Sequence, residues 1–276
     1  MTGAGEKKSA RKRWSDLGPR VISGVVLIVL GAILILSSGI WLATGLSLLS
    51  GGMMWELARL TAWRHPEFQG PRHPVLIGIA GGLTLFAMLM IPGNWALLLV
   101  VLPIVLGWGG THAHERPTYA ATTIAILFAG YALFYVREAM GLPTALWIVA
   151  TVVLSDISGY FAGRHFGGPK LWPAVSPNKT WSGTVAGWVG AVGLALILIA
   201  SGAAHWPVIL LGPVLAMFGQ AGDIAESWLK RRVGVKDSSN LIPGHGGLMD
   251  RFDAMSGAFL AALLFIFMGI LPVIGG

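Results

Sequence analysis

The residues best suited to chemistry lie between Gly219 and Asp253. The run Gly219-Gln220-Ala221-Gly222-Asp223-Ile224-Ala225-Glu226-Ser227-Trp228-Leu229-Lys230-Arg231-Arg232 continues through Lys236-Asp237 to Pro243-Gly244-His245-Gly246-Gly247-Leu248-Met249-Asp250-Arg251-Phe252-Asp253. Of 12 acidic residues in the chain, five fall between Asp223 and Asp253, as do five of the 19 Lys and Arg residues. If the stretch is helical from about Gly219, then Asp223, Glu226 and Lys230 fall at i, i+3 and i+7 on one face. Asp250 and Asp253, three apart, share a face at the start of the last apolar run. Pro243–Gly247 lets backbone approach a ligand closely, because Gly has no Cβ in the way. Carboxylates with no Cys and at most one nearby His suit a hard cation held by oxygen. Mg²⁺ fits best, since it keeps waters and takes one or two carboxylates plus substrate phosphates. The interleaved Lys and Arg residues would neutralise phosphate oxygens. Together these groups describe phosphoryl or nucleotidyl transfer. A competing reading makes Lys230, Arg231, Arg232 and Lys236 a solvated face against lipid head groups. It accounts for the bases and leaves Asp223, Asp250 and Asp253 without a role.

Two further polar segments stand out. In Ser155-Asp156-Ile157-Ser158-Gly159-Tyr160-Phe161-Ala162-Gly163-Arg164 an Asp interrupts an apolar helix, which marks either a functional site or a structural pair with a base such as Arg164 or Lys179. In Ser176-Pro177-Asn178-Lys179-Thr180-Trp181-Ser182-Gly183-Thr184 hydroxyls, an ammonium and backbone N–H groups precede a helix. Such a helix start can hold phosphate, or it can be an ordinary N-cap formed by Thr180 or Ser182. His112-x-His114-Glu115 reads as a polar cytoplasmic loop rather than a zinc site, because residues two apart do not share a helix face.

The elements that must position these groups are membrane spans. The chain of 276 residues is 55% hydrophobic and only 11% charged, against roughly a quarter charged for ordinary globular chains. Its mean hydropathy is +0.72. The absence of Cys excludes disulfides, thiolate metal sites and cysteine nucleophiles. A pI of about 10.1 could point to nucleic acid, but in a chain of this kind bases mark cytoplasmic loops, and no nucleic-acid partner is expected. Apolar runs near the ~20 residues needed to cross a bilayer recur from end to end. We expect an all-α polytopic transmembrane bundle of about nine spans. A basic tail, 1–20, feeds spans over Val21–Leu36, Ile40 to about Leu57, Val75–Met90, Trp95–Trp108 (short, with a kink expected at Pro103) and Tyr119–Val136. Further spans run from Thr144 to about Phe161, Gly183–Ala200, Trp206 into the Asp223 region, and Ala254–Ile274. The link after the second span carries Arg59, Arg64, His65, Arg72 and His73, with Pro66, Pro71 and Pro74 as breakers. The N-terminal spans occupy 21–143, and 144–276 forms a catalytic region. With the N-terminus in the cytoplasm, only Arg137 of the 19 Lys and Arg residues falls in an outward loop, as the positive-inside rule requires. Gly78-x-x-x-Gly82, Gly159-x-x-x-Gly163 and Gly183-x-x-x-Gly187 permit close helix approach without naming which helices touch.

The pattern Ser227-x-x-Lys230-Arg231-x-x-x-x-Lys236-Asp237-x-x-x-x-Ile242-Pro243-Gly244-His245-Gly246-Gly247-x-x-Asp250-Arg251-x-Asp253 resembles the signature of the phosphatidate cytidylyltransferases. Asp156 to Gly167 and Ser176 to Gly183 resemble two further segments of that family, in the same order. Many members carry Glu where this chain has Ser182, so any role of that acid does not transfer. The resemblance implies formation of CDP-diacylglycerol and pyrophosphate from CTP and phosphatidic acid with Mg²⁺, with a second cation as an extension of the site. On this reading Asp223 and Asp250 are metal ligands, with Asp253 beside them or one step further out. Lys230, Arg231, Lys236 and Arg251 hold phosphates. Ser176, Lys179 and Thr180 bind substrate, and Asp156 orients a basic partner. Glu226 and Asp237 belong to the substrate site, and His245 donates to a phosphate. The site is expected at the cytoplasmic face of a bacterial inner membrane, reached by phosphatidic acid from that leaflet; a homodimer is left open. Two rivals stand beside this reading. One is a cytidylyltransferase for another lipid phosphate. The other is an ion or anion transporter, which would carry polar residues into the outer half of its spans, and this chain does not.

Overall fold

The computed structural model describes residues 17–62 and 73–275. The basic tail up to Asp16 and the link residues Arg64, His65, Pro66, Pro71 and Arg72 lie outside the described residues. Nearly everything else is helix. In hydrocarbon every backbone N–H and C=O must be satisfied within its own segment, and long apolar runs meet that demand by coiling. The helices are α1 (Leu17–Leu36), α2 (Gly39–Ala62), α3 (His73–Met90), α4 (Val101–Trp108), α5 (Arg116–Ala139), α6 (Leu142–Phe166), α7 (Trp181–Ala200), α8 (Pro207–Val233) and α9 (Met249–Phe267). Each expected apolar run is thus helical over most of its length, except that the last, expected over Ala254–Ile274, stops being helical at Phe267. Among the described residues five helices (α3, α5, α6, α7 and α8) are long and apolar enough to cross a membrane.

Two details correct the sequence reading. The fourth run is not one regular helix: it opens as a 3-10 turn over Asn94–Val100 and becomes α-helical at Val101. Pro103 sits in the first turn of α4, just after this change of helix type. The fold is also not purely helical. Two short antiparallel strands, β1 (Lys170–Trp172) and β2 (Ser176–Thr180), pair Lys170 with Thr180 and Trp172 with Ser176. Gly167 and Gly168, at φ +61° and +100°, stop α6 and turn the chain into this hairpin. It delivers Thr180 as the N-cap of α7.

The helices pack mainly as neighbours: α2 on α3, α6 on α7, α7 on α8 and α8 on α9, with α5 bridging α2 and α9. The glycine pairs lie at these seams. A Cβ added at Gly82 would stand 2.8 Å from the Ser47 carbonyl oxygen across α2–α3, and one at Gly183 would stand 2.6 Å from that of Gly159 across α6–α7. One core, with Trp147, Ile148, Leu215 and Phe259, fills the space among α6, α8 and α9. A second, with Met54, Leu57, Tyr119, Leu229 and Met249, ties α2 and α5 to the ends of α8 and α9. The outside is oily: Val25, Ile28, Leu48, Leu83, Val189, Leu210 and Phe267 are all exposed. That is the surface expected of helices facing lipid.

Candidate active site

The polar residues collect at one end of the bundle because neighbouring helices alternate in direction. Close approach of α8 and α9 completes the arrangement: a Cβ at Gly222 would lie 2.4 Å from the Asp253 carbonyl oxygen, and one at Gly257 would lie 2.1 Å from that of Phe218. Only hydrogen at both positions lets the two backbones meet, and this brings Asp223 and Asp253 to one wall. A cavity of about 380 Å³ opens there. It is lined by Asp156 of α6, Asp223 and Lys230 of α8, Asp237 of the α8–α9 link, and Asp250, Arg251 and Asp253 of α9, over an apolar floor that includes Val152 and Ala254.

Ion pairs order this wall. The Lys179 ammonium meets Asp223 at 2.5 Å. Lys230 meets Asp250 at 2.6 Å and also pairs with Glu226, one turn earlier on α8; all three side chains are largely buried. The second oxygen of Asp250 accepts from the N–H groups of Ser238 (2.9 Å) and Gly247 (2.7 Å) and lies 3.0 Å from the Ser238 hydroxyl, whose single proton it shares with Glu56. Asp250 lies ahead of the apolar part of α9. Burial pushes its carboxyl up, but a hydrogen bond with Glu226, the Lys230 ammonium and the N–H groups of Gly247 and Ser238 outweigh that and bring it down to about 2. It stays ionised at any physiological pH. Asp253 accepts from the N–H of Ala254 at 2.7 Å.

The remaining expected residues divide. Asp156 lines the cavity, but neither suggested base pairs with it: Arg164 donates to the Tyr160 hydroxyl at 2.9 Å, and Lys179 is on Asp223. Thr180 caps α7, accepting from the Gly183 N–H at 3.2 Å, so the capping alternative describes its oxygen. Ser182 donates to the Gly167 carbonyl and lies 3.0 Å from the Thr180 hydroxyl. Ser176 opens β2. His245 and Arg251 are joined through backbone, the guanidinium donating to the His245 carbonyl at 2.6 and 2.8 Å. The loop that carries His245 folds over on Gly244 and Gly246, which flank it and whose φ values of +75° and +82° belong to glycine. Arg231 donates to the Val235 carbonyl at 3.2 Å, and Lys236 is exposed.

Sequence reasoning missed several partners. Glu56 on α2 is fully buried and accepts from the hydroxyls of Ser238 (3.0 Å) and Ser239 (2.6 Å) and from the N–H groups of Leu248 (2.9 Å) and Met249 (2.7 Å). A lone acid in an apolar run was its signal. Glu115, read as part of a polar loop, is instead fully buried and pairs with Arg232 at 3.0 Å. Gln220 joins three helices, accepting from the Trp188 indole at 3.0 Å and donating to Ser155 and to the Thr184 carbonyl at 3.2 Å each. Ser23 of α1 donates to the Pro243 carbonyl at 2.8 Å and lies 2.7 Å from Nδ1 of His245.

For a metal, the donor set matters more than a ready cage. Among the described residues no three carboxylate or imidazole side chains converge on one point. Asp223 and Asp250, on separate helices and each partnered by an ammonium group, match an ion such as Mg²⁺ that takes one or two carboxylates and completes its shell with water and phosphate oxygens. They do not match a closed protein cage.

Comparison with known proteins agrees in kind. The profile of the cytidylyltransferase family matches residues 18–271. The chain is 35% identical over 264 residues to the phosphatidate cytidylyltransferase of Brucella abortus biovar 1 (strain 9-941), covering 92% of this chain and 93% of that protein. It is 39% identical over 139 residues to the enzyme of the same name from Staphylococcus saprophyticus, covering 49% of this chain and 54% of that one. For the Staphylococcus epidermidis (strain ATCC 12228) protein of that name the figures are 40% over 139 residues, again 49% and 54%. Matched along nearly its whole length, and with Lys230, Asp237, Asp250, Arg251 and Asp253 of the signature around one cavity, the chain belongs to the cytidylyltransferase family.

Proposed function

We propose that this chain transfers the cytidylyl group of CTP to phosphatidate, releasing pyrophosphate and forming CDP-diacylglycerol for phospholipid synthesis. One observation carries the reading: Asp223, Asp250, Asp253, Lys230 and Arg251 line one cavity in a chain 35% identical, over 92% of its length, to a phosphatidate cytidylyltransferase. A phosphate oxygen of phosphatidate attacks the α-phosphorus of CTP, and the bond to the bridging oxygen of the β-phosphate breaks. The nucleophile is already anionic, so the site needs no strong base. It needs positioning and charge neutralisation as negative charge moves to the leaving pyrophosphate. Lys230, held between Glu226 and Asp250, is a fixed positive charge on the wall, Arg251 adds a second cation there, and Arg231 and Lys236 would supply further positive charge from the α8 end and the link after it. Lys179 sets the orientation of Asp223. Asp223 and Asp250 would hold Mg²⁺, with Asp253 beside them; bound there, it would neutralise phosphate charge.

The chain crosses the membrane nine times on this reading, with its N-terminus and the site on the cytoplasmic side of the inner membrane. Support comes from the charge distribution and from the shared end of the bundle at which Arg20, Glu56, Glu115 and the site residues meet. CTP then arrives from water and phosphatidate from the adjoining leaflet. The test is purified protein in liposomes with CTP and Mg²⁺, offered phosphatidate, a polyprenyl phosphate and an ether-lipid phosphate in parallel. Formation of CDP-diacylglycerol and pyrophosphate with phosphatidate preferred is the expected result. Turnover only with another lipid phosphate, or none with any, rejects the assignment.

A further inference from the structure

We propose that Glu56 is a positioning residue for the transfer reaction, acting through Ser238 and the first turn of α9 to hold Asp250; this rests on the function proposed above. Glu56 lies on α2, outside the signature region, and has no exposed surface. Its two oxygens are each used twice. One accepts from the Ser239 hydroxyl and the Leu248 N–H, the other from the Ser238 hydroxyl and the Met249 N–H. The α9 N-terminus has no side-chain cap of its own, since Leu248 stands at the cap position. Its free N–H groups would otherwise be buried and unpaired. A carboxylate from a distant helix fills the role that Ser or Asp usually fills locally, at the positive end of the helix dipole.

This cap is joined to the reactive wall. Ser238 places its hydroxyl 3.0 Å from Glu56 and 3.0 Å from Asp250, while its own N–H reaches Asp250 at 2.9 Å. Gly247, whose N–H also holds Asp250, is packed directly on Glu56: a Cβ there would come within 2.3 Å of the carboxylate. Lys230 and Glu226 act on Asp250 from α8. Of the other groups around the Asp250 carboxylate, the Ser238 hydroxyl meets Glu56 directly, and the Ser238 and Gly247 N–H groups belong to residues that lie against it. Glu56 does not itself line the cavity, so its influence on turnover must pass through these groups.

Glu56→Gln keeps the shape but turns one acceptor into a donor that faces N–H and O–H groups. We expect at least a tenfold fall in kcat, KM for CTP within twofold of wild type, and elution from size exclusion in detergent as for the unaltered protein. Ser238→Ala should lower kcat at least threefold. Because the two changes cut one path, the double variant should lose no more than twofold beyond Glu56→Gln alone. An unchanged kcat in folded Glu56→Gln overturns the proposal, as does full additivity of the two losses. If Glu56→Gln fails to fold, Ser238→Ala decides alone, and an unchanged kcat there is the overturning result. Wild-type protein that makes no CDP-lipid would instead reject the underlying function, whatever the variants do.

Discussion

Asp223 and Asp250, from the C-terminal half of the chain, face a cavity, whereas Glu56 and Glu115, from the N-terminal half, are fully enclosed at the same end of the bundle. The enclosed pair is partnered: Glu56 by hydroxyl and N–H donors, Glu115 by the Nε–H of Arg232, which its two oxygens share. An unpaired acid in such surroundings would cost several kcal/mol, so complete pairing is the condition of its presence. Asp223 and Asp250 keep ammonium partners, Lys179 and Lys230, which on the proposed function a substrate phosphate or a cation would replace. Asp250 belongs to both groups, one oxygen fastened from the Glu56 side and the other turned to Lys230. The N-terminal half thus holds the site in shape while the C-terminal half presents it.

That contrast can be broken by experiment. Lys230→Met strips the counter-charge from two largely buried acids at once and should have the greatest effect: about 3–5 kcal/mol of stability, seen as a lower melting temperature in detergent, together with loss of turnover. Asp250→Asn should fold but lose kcat at least about a hundredfold, or roughly 2.7 kcal/mol of barrier; near-normal transfer of labelled CMP from CTP at ordinary Mg²⁺ would end its assignment to the reactive group. Glu115→Gln sharpens the other side. It should cost about 1–3 kcal/mol in thermal stability yet leave kcat per folded molecule within twofold, because Arg232 lies off the cavity. A large fall in kcat there would erase the distinction between holding and presenting. Smallest is Thr180→Ala, which removes the α7 cap at about 1 kcal/mol; a loss of activity well beyond that would restore the hydroxyl's role on substrate.

How much could be read beforehand follows from what each feature depends on. Helices were legible wherever an apolar run alone forces the backbone to coil, and so were Asp223, Lys230, Asp250 and Asp253, whose spacing and charge contrast with their neighbours. The β1–β2 hairpin was not: its strands are three and five residues long and interrupted by Pro177, too short for an alternating pattern. Glu56 was hidden for a different reason. Half of its partners are backbone N–H groups, which leave no trace in residue type, and all lie 182 to 193 positions away. Arg232 looked like one more base in a basic run until the fold placed Glu115 against it across 117 positions. The spacing of Gly183 was visible, but its partner, the Gly159 carbonyl, was not.

The reach of Glu56 also sets an order of events during synthesis. Its donors stand 182 or more residues downstream, so α2 is made and delivered to the bilayer before any of them exists. At ordinary translation rates of about 5–20 residues per second, that interval is roughly 10–40 s. Throughout it a carboxylate that ends with four donor contacts has none of them. On the proposed topology the final seating of α2 is therefore coupled to the arrival of α9, and the wall of the cavity is complete only once α9 is in place.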